Sequence, residues 1–139
     1  MRMAQGRLEL ETRGKGLHEV SAALAEWLGR QSIESGLLTL FLRHTSASLL
    51  IQENAAPEVR RDLEDFFSAL APEDPQRYRH DDEGPDDMPS HIRAALLPTQ
   101  LSIPVAGGRM QLGTWQGVYL WEHRRAPHRR EILLTLVGE

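Results

Sequence analysis

Residues 112 to 123, LGTWQGVYLWEH, constrain the fold more than any other stretch, because strand alternation leaves both sides of the segment largely apolar. Leu112, Thr114, Gln116, Val118, Leu120 and Glu122 fall on one side, and Gly113, Trp115, Gly117, Tyr119, Trp121 and His123 on the other. Such a strand needs cover on both faces, from its own core and from something else. In a chain of 139 residues, another subunit is the expected second cover. Gly113 and Gly117 around Trp115 predict a bulge or a close backbone approach.

The remaining apolar pattern supplies the partners for this strand. GRLELET (6–12) reads as a strand, and Leu17, Val20, Leu24, Trp27 and Leu28 recur at helical spacing, which predicts a helix of about 13 residues. GLLTLFLRH (36–44) and SLLIQEN (48–54) predict two further strands. Pro57 suits a first helical turn, and Val59, Leu63, Phe66, Phe67 and Leu70 form a stripe behind it. Residues 71–88, polar and proline-rich, predict a loop. A short helix runs from Pro89 to about Leu97, with Asp87 placed to cap it and Pro98 to end it. Gly107-Gly108 marks a two-residue hairpin, and EILLTLVGE, reached through the basic tip RRAPHRR, is the last strand. No repeat or linker divides the chain. The expectation is one α+β domain with a largely antiparallel or mixed sheet and about three helices.

Charge and composition narrow the function. A net charge of -4 lacks the basic footprint of a nucleic-acid binder. No apolar run approaches the ~20 residues that cross a bilayer, and the N-terminal stretch lacks the apolar core of a signal peptide, so a cytoplasmic location is expected. With no cysteine, any metal must be held by nitrogen and oxygen.

Histidines and carboxylates cluster in three places. Alternation puts His44 on the face of Leu38, Leu40 and Leu42, where it is either a core histidine bonded to backbone or, with the hydroxyls of Thr45, Ser46 and Ser48 following, part of a polar pocket. His80 and His91 bracket Asp81, Asp82, Glu83, Asp86 and Asp87, which suits a divalent metal or, alternatively, a solvated acidic loop. Asp62, at the border of its helix's apolar face, is placed to reach inward and orient a histidine, or else lies on the surface. Glu53 and Asn54 either cap the next helix or wall a pocket. Arg124, Arg125, Arg129 and Arg130 make a basic tip suited to phosphate or carboxylate, or simply to solubility. No nucleotide fingerprint or serine elbow is present.

HTSASLLIQENAAPEVRRDLEDFF, YRHDDEGPDDMPSHIRAALL and GRMQLGTWQGVYLWEH, in this order, resemble the YjbQ family, described as secondary thiamine-phosphate synthases, over essentially the whole chain. Pro98 stands where that family usually has glycine. The resemblance implies an α+β homotrimer with a histidine-rich site near subunit boundaries. It implies coupling of a pyrimidine-methyl diphosphate to a thiazole phosphate with loss of pyrophosphate, a weak and secondary activity. It further implies His44, His80 and His91 as ligands of a divalent metal, magnesium or zinc, or of leaving-group oxygens. Asp62 and Glu122 would orient them, Arg130 would take phosphate, and Thr45, Ser46, Asn54, Thr114 and Gln116 would contact a small phosphorylated substrate. Two other functions suit the same residues: a metal-assisted hydrolase of a phosphorylated metabolite, and a non-catalytic metal- or ligand-binding trimer.

Overall fold

Two antiparallel sheets pack face to face in the computed structural model, which describes residues 1–139. The larger holds β1 (Arg2–Thr12), β3 (Gly36–Leu42), β5 (Gln100–Ala106), β6 (Arg109–Met110) and β8 (His128–Gly138), in the order β1-β8-β3-β5-β6. The smaller holds β2 (Gly16–Glu19), β4 (Ala47–Glu53) and β7 (Gln116–Glu122), in the order β2-β7-β4. The core fills the space between them. Leu38, Leu40, Ile103, Ile132, Leu134 and Leu136 face Ala47, Leu49, Val118 and Leu120, and Leu24 and Leu28 of α1 (Ser21–Gly29) close one end.

The doubly apolar segment, whose regular part is β7, is covered on both faces, but by its own chain. Tyr119 and Trp121 point away from the core and meet α2 (Pro57–Leu70) and α3 (Asp87–Leu96). Phe67 packs edge-on against Trp121 with centroids 5.1 Å apart, the Arg93 guanidinium lies 5.0 Å over the same ring, and Arg60 donates to the Tyr119 hydroxyl at 2.9 Å. No second subunit is needed for that face.

Three expected boundaries move, each for a tertiary reason. The predicted 13-residue helix loses its first turn to β2, since Leu17 pairs with Trp121 and Glu19 with Tyr119 along an otherwise open edge of β7. The long strand after the Gly107-Gly108 turn breaks in two. That turn forms as expected, with φ of 59° and 72° at the two glycines, the left-handed pair a type I′ hairpin requires. β6 then ends at Met110, and residues 111–115 cross to the other sheet. The Gln116 side chain accepts from the Gly113 N–H at 2.7 Å and holds that turn. Finally, β8 begins at His128, so Arg129 and Arg130 belong to a strand paired with β1, and only Arg124–Pro127 form the tip.

Candidate functional site

The ends of four elements converge on one side of the molecule: the connection after β3, the start of β8, the end of β7 and the first turns of α3. α3 fixes the geometry. Asp87 and His91 lie one helical turn apart, so their side chains meet on one face. Asp87 Oδ2 stands 3.2 Å from His91 Nε2 and 2.9 Å from His80 Nε2, the latter carried by the loop before the helix. The ligating atoms of these three residues lie within 4.8 Å of one another.

The hydrogen bonds decide what this trio can do. His91 Nδ1 donates to the Thr45 carbonyl at 2.9 Å, which turns Nε2 toward a carboxylate oxygen. At 3.2 Å that contact is closed either by a proton on the ring or by a cation between the two atoms. His80 faces Asp87 and Glu83 with one nitrogen and Asp82 with the other, and the bond to Asp87, then that to Glu83, pushes its pKa above the ordinary histidine value against desolvation. Edges of a tetrahedral centre with bonds near 2.1 Å are ~3.4 Å, so the spacing fits a cation held by two imidazoles and a carboxylate with little rearrangement.

Asp87 is 3% exposed. Burial alone would push its carboxyl up, but His91, Arg124 and the bond from His80 together hold it below the usual carboxylate range. Arg124 clamps the loop. Its Nη1 donates to Asp87 Oδ1 at 2.8 Å, its Nε to Asp86 Oδ2 at 3.1 Å and its Nη2 to the Glu83 carbonyl at 2.9 Å. The clamp occupies one carboxylate oxygen of Asp87 and leaves the other to the histidines.

His44 does not join the trio. Its Nε2 accepts the Glu131 backbone N–H at 2.9 Å, so that lone pair is spent and the neutral ring carries its proton on Nδ1. Burial, then the neighbouring Arg130, keeps the ring neutral by lowering its pKa, against Glu122 and Glu131. The strand ends at Leu42, so His44 leaves the apolar face and is half-buried in an arginine-lined cleft.

Glu122 and Arg130 form a buried ion pair, Nε to Oε1 at 2.8 Å with a second short bond from Nη2. Thr12 donates to Glu122 at 2.5 Å and the Arg124 N–H at 3.2 Å. Burial works against the Glu122 charge, but Arg130 and Thr12 hold its pKa low. Glu122 therefore orients Arg130 and touches no histidine. Ser46 serves the same pair, its hydroxyl 2.9 Å from Arg130 Nη2. Thr45 contributes its carbonyl to His91 and exposes its side chain.

The other expected residues lie elsewhere. Asp62 is exposed, and Glu64, two residues on, turns inward instead. Thr114 and Gln116 are exposed at the opposite end of β7: Gln116 pairs with Glu53 and Glu122 with Ala47, which separates the two ends by ~20 Å. Asn54 sits at that far end, its N–H donating to the Trp115 carbonyl at 3.0 Å. Sequence reasoning counted Asp87 among five acidic residues suited to a metal and as a helix cap without singling it out, and it gave Arg124 no separate role. The signal that sets Asp87 apart from the other four is its i, i+4 spacing to His91, which puts both on one helix face.

Comparison with known proteins adds a family. The family described as "UPF0047 protein YjbQ-like" matches residues 6–139. The UPF0047 protein sll1880 of Synechocystis is 52% identical over 99% of this chain and 94% of its own length. YjbQ of Escherichia coli O157:H7 is 47% identical over 97% of this chain and 98% of its own. Among solved structures, the conserved hypothetical protein TT1486 of Thermus thermophilus superposes with a TM-score of 0.85 at 33% identity, covering 95% of this chain and 99% of that one.

Proposed function

The chain belongs to the YjbQ-like UPF0047 family, and from that membership and the donor geometry we propose that it holds a divalent metal and acts on a phosphorylated small molecule. The reaction we assign is coupling of a pyrimidine-methyl diphosphate to a thiazole phosphate, with pyrophosphate leaving. One observation carries the metal: ligand-type atoms of His80, Asp87 and His91 lie within 4.8 Å of one another, with the other nitrogen of His91 committed to Thr45. Two imidazoles and a carboxylate suit zinc or manganese better than magnesium, which prefers oxygen alone. When bound, the cation supplies positive charge to the oxygens of a departing diphosphate.

The chain's own residues do the rest. His80 and His91 present ring nitrogens to Asp87, which Arg124 holds in place, and the cleft beside His44 offers arginines to phosphate. Reaction at a carbon bearing a good leaving group needs mainly positioning and charge, and no covalent nucleophile. A second reading, hydrolysis of a phosphate ester, is favoured by the nitrogen-rich donor set, which suits zinc and a water poised near neutral pH. The same proposal has the chain working as a homotrimer in the cytoplasm; Leu37, Phe41 and Val137, exposed on the outer face of the larger sheet, favour a partner there.

The experiment is a product analysis with both thiamine precursors, with zinc, manganese or magnesium and after chelation. Metal-dependent thiamine phosphate, lost in Asp87→Asn, is the expected result. Inorganic phosphate released from a single ester, without coupled product, selects hydrolysis. Wild-type protein that retains no metal under any condition overturns the proposal.

A further inference from the structure

His44 and Arg130 present an unusual pair of groups to the same cleft. His44 Nε2 is an acceptor for the Glu131 N–H, so Nδ1 carries the proton, yet Nδ1 stands 3.4 Å from Arg130 Nη1, which also carries only protons. Two donors face each other with no acceptor between them. Arg130 cannot turn away, because Glu122 and Ser46 hold its Nε and Nη2 and its side chain is 4% exposed. His44 cannot flip without losing the backbone bond at 2.9 Å.

Both donors open onto a cleft of about 460 Å³ that Arg43, Thr45 and Thr99 also line. Arg129, Glu9 and Glu131 border the same region from the other side of His44. Those carboxylates are already matched, Glu131 by Arg7 and Arg43 and Glu9 by Arg129, as Glu122 is by Arg130. Glu11, cross-strand from Arg129, makes the charges balance, so what remains unmatched here is the pair of facing N–H groups on His44 and Arg130.

We infer that His44 and Arg130 form an oxyanion seat for a phosphoryl group, with His44 Nδ1–H and Arg130 Nη1 donating to its oxygens. A tetrahedral phosphoryl group offers three oxygens, enough for these two donors and for Arg43 or the Thr45 hydroxyl, whereas a carboxylate offers two. The seat lies next to the metal centre in sequence and space, since Thr45 follows His44 and its carbonyl orients His91. His44 thus leaves the metal-ligand set and becomes a substrate contact. The inference rests on the proposed phosphorylated substrate and does not require the metal.

Titration calorimetry of the full-length chain with inorganic phosphate, in the presence of a chelator, tests it. The expected result is one phosphate per chain, with affinity lowered about tenfold by His44→Ala, the loss of one hydrogen bond to a charged group. Arg43→Ala, a change at an exposed side chain, should weaken binding without altering the melting temperature and serves if His44→Ala does not fold. Asp87→Asn should abolish metal uptake and leave phosphate binding unchanged, so the metal can fail while the seat stands. Phosphate binding absent from the wild type, or undiminished in both His44→Ala and Arg43→Ala, overturns the seat. Acetate binding as tightly as phosphate overturns the phosphoryl assignment.

Discussion

Two arginine–carboxylate clusters flank the end of β7, and they do opposite things with the same chemistry. Beneath α2, Arg93 is 1% exposed and grips Glu64 with two bonds of 2.6 and 2.9 Å, while Trp121 adds a third donor at 3.1 Å. Burial opposes ionisation of Glu64, but Arg93 and Trp121 hold its carboxyl down to about 2. His123 beside them is pushed down to about 3 by burial and by Arg93, and its Nε2 meets only the Ser48 hydroxyl. His123 makes no hydrogen bond to a carboxylate. On the other side, Arg124 takes one oxygen of Asp87 and leaves the second to two partly exposed histidines. A carboxylate held by buried donors fixes structure; a clamp that leaves one carboxylate oxygen to two partly exposed histidines presents that oxygen to a ligand.

The largest expected effect strikes the sealed cluster. Glu64→Gln strands the Arg93 charge and should cost about 3–5 kcal/mol, roughly 10–20 °C in melting temperature by thermal denaturation. Replacing both partners by Leu and Met should restore most of that loss, because burying an ion pair is itself costly. If the double replacement melts as low as Glu64→Gln, the pair is more than a structural lock.

Next comes the clamp. Arg124→Ala should lower metal affinity by about 10–100-fold in a competition titration, with a smaller fall in melting temperature than Glu64→Gln. Equal losses of stability with unchanged metal affinity would erase the contrast between the clusters.

The two regions also separate by pH. Glu64 has a folded pKa near 2 against an ordinary 4.5, so its stabilisation is complete above pH 4.5 and disappears as pH falls from there toward 2. His80 has the opposite sign: its folded pKa is raised above 6.5, so in metal-free protein its contribution is present below pH 6.5 and is lost as pH rises through the folded value. Metal binding competes with that proton and should strengthen over the same rise. Melting curves of the metal-free chain should therefore lose an acid limb in Glu64→Gln and a near-neutral limb in His80→Gln.

The strands are legible in the sequence because their information is local. Gly107-Gly108 sets its own turn, and the apolar runs around Leu38 and Leu49 can only be core. Trio members His80 and His91 are legible as residue types near acids. What escapes depends on partners far away in sequence. The residues around Leu17 have helical spacing, but an open strand edge at Trp121 claims them. Gln116 keeps the face of β7 that carries Glu122 but stands at the opposite end of the strand, and the Gly113 turn takes Thr114 out of the strand altogether. Alternation carries a strand through His44, whereas the strand stops two residues earlier.

The smallest expected effect bears on the same lesson within one helix. The stripe of Val59, Leu63, Phe66, Phe67 and Leu70 puts Asp62 at the edge of the expected buried face, yet Phe66 is 61% exposed and Leu70 52% exposed. The facing elements set the helix phase: Arg93 and Trp121 present three donors, and the helix turns Glu64 toward them. At 100° per residue, that choice carries Asp62 some 200° away, into solvent. Asp62→Asn should therefore change stability by less than about 0.5 kcal/mol and leave metal uptake as it is. A loss of metal affinity in Asp62→Asn would mean that the exposed side of α2 meets the site of a neighbouring copy, since within one chain Asp62 touches neither cluster.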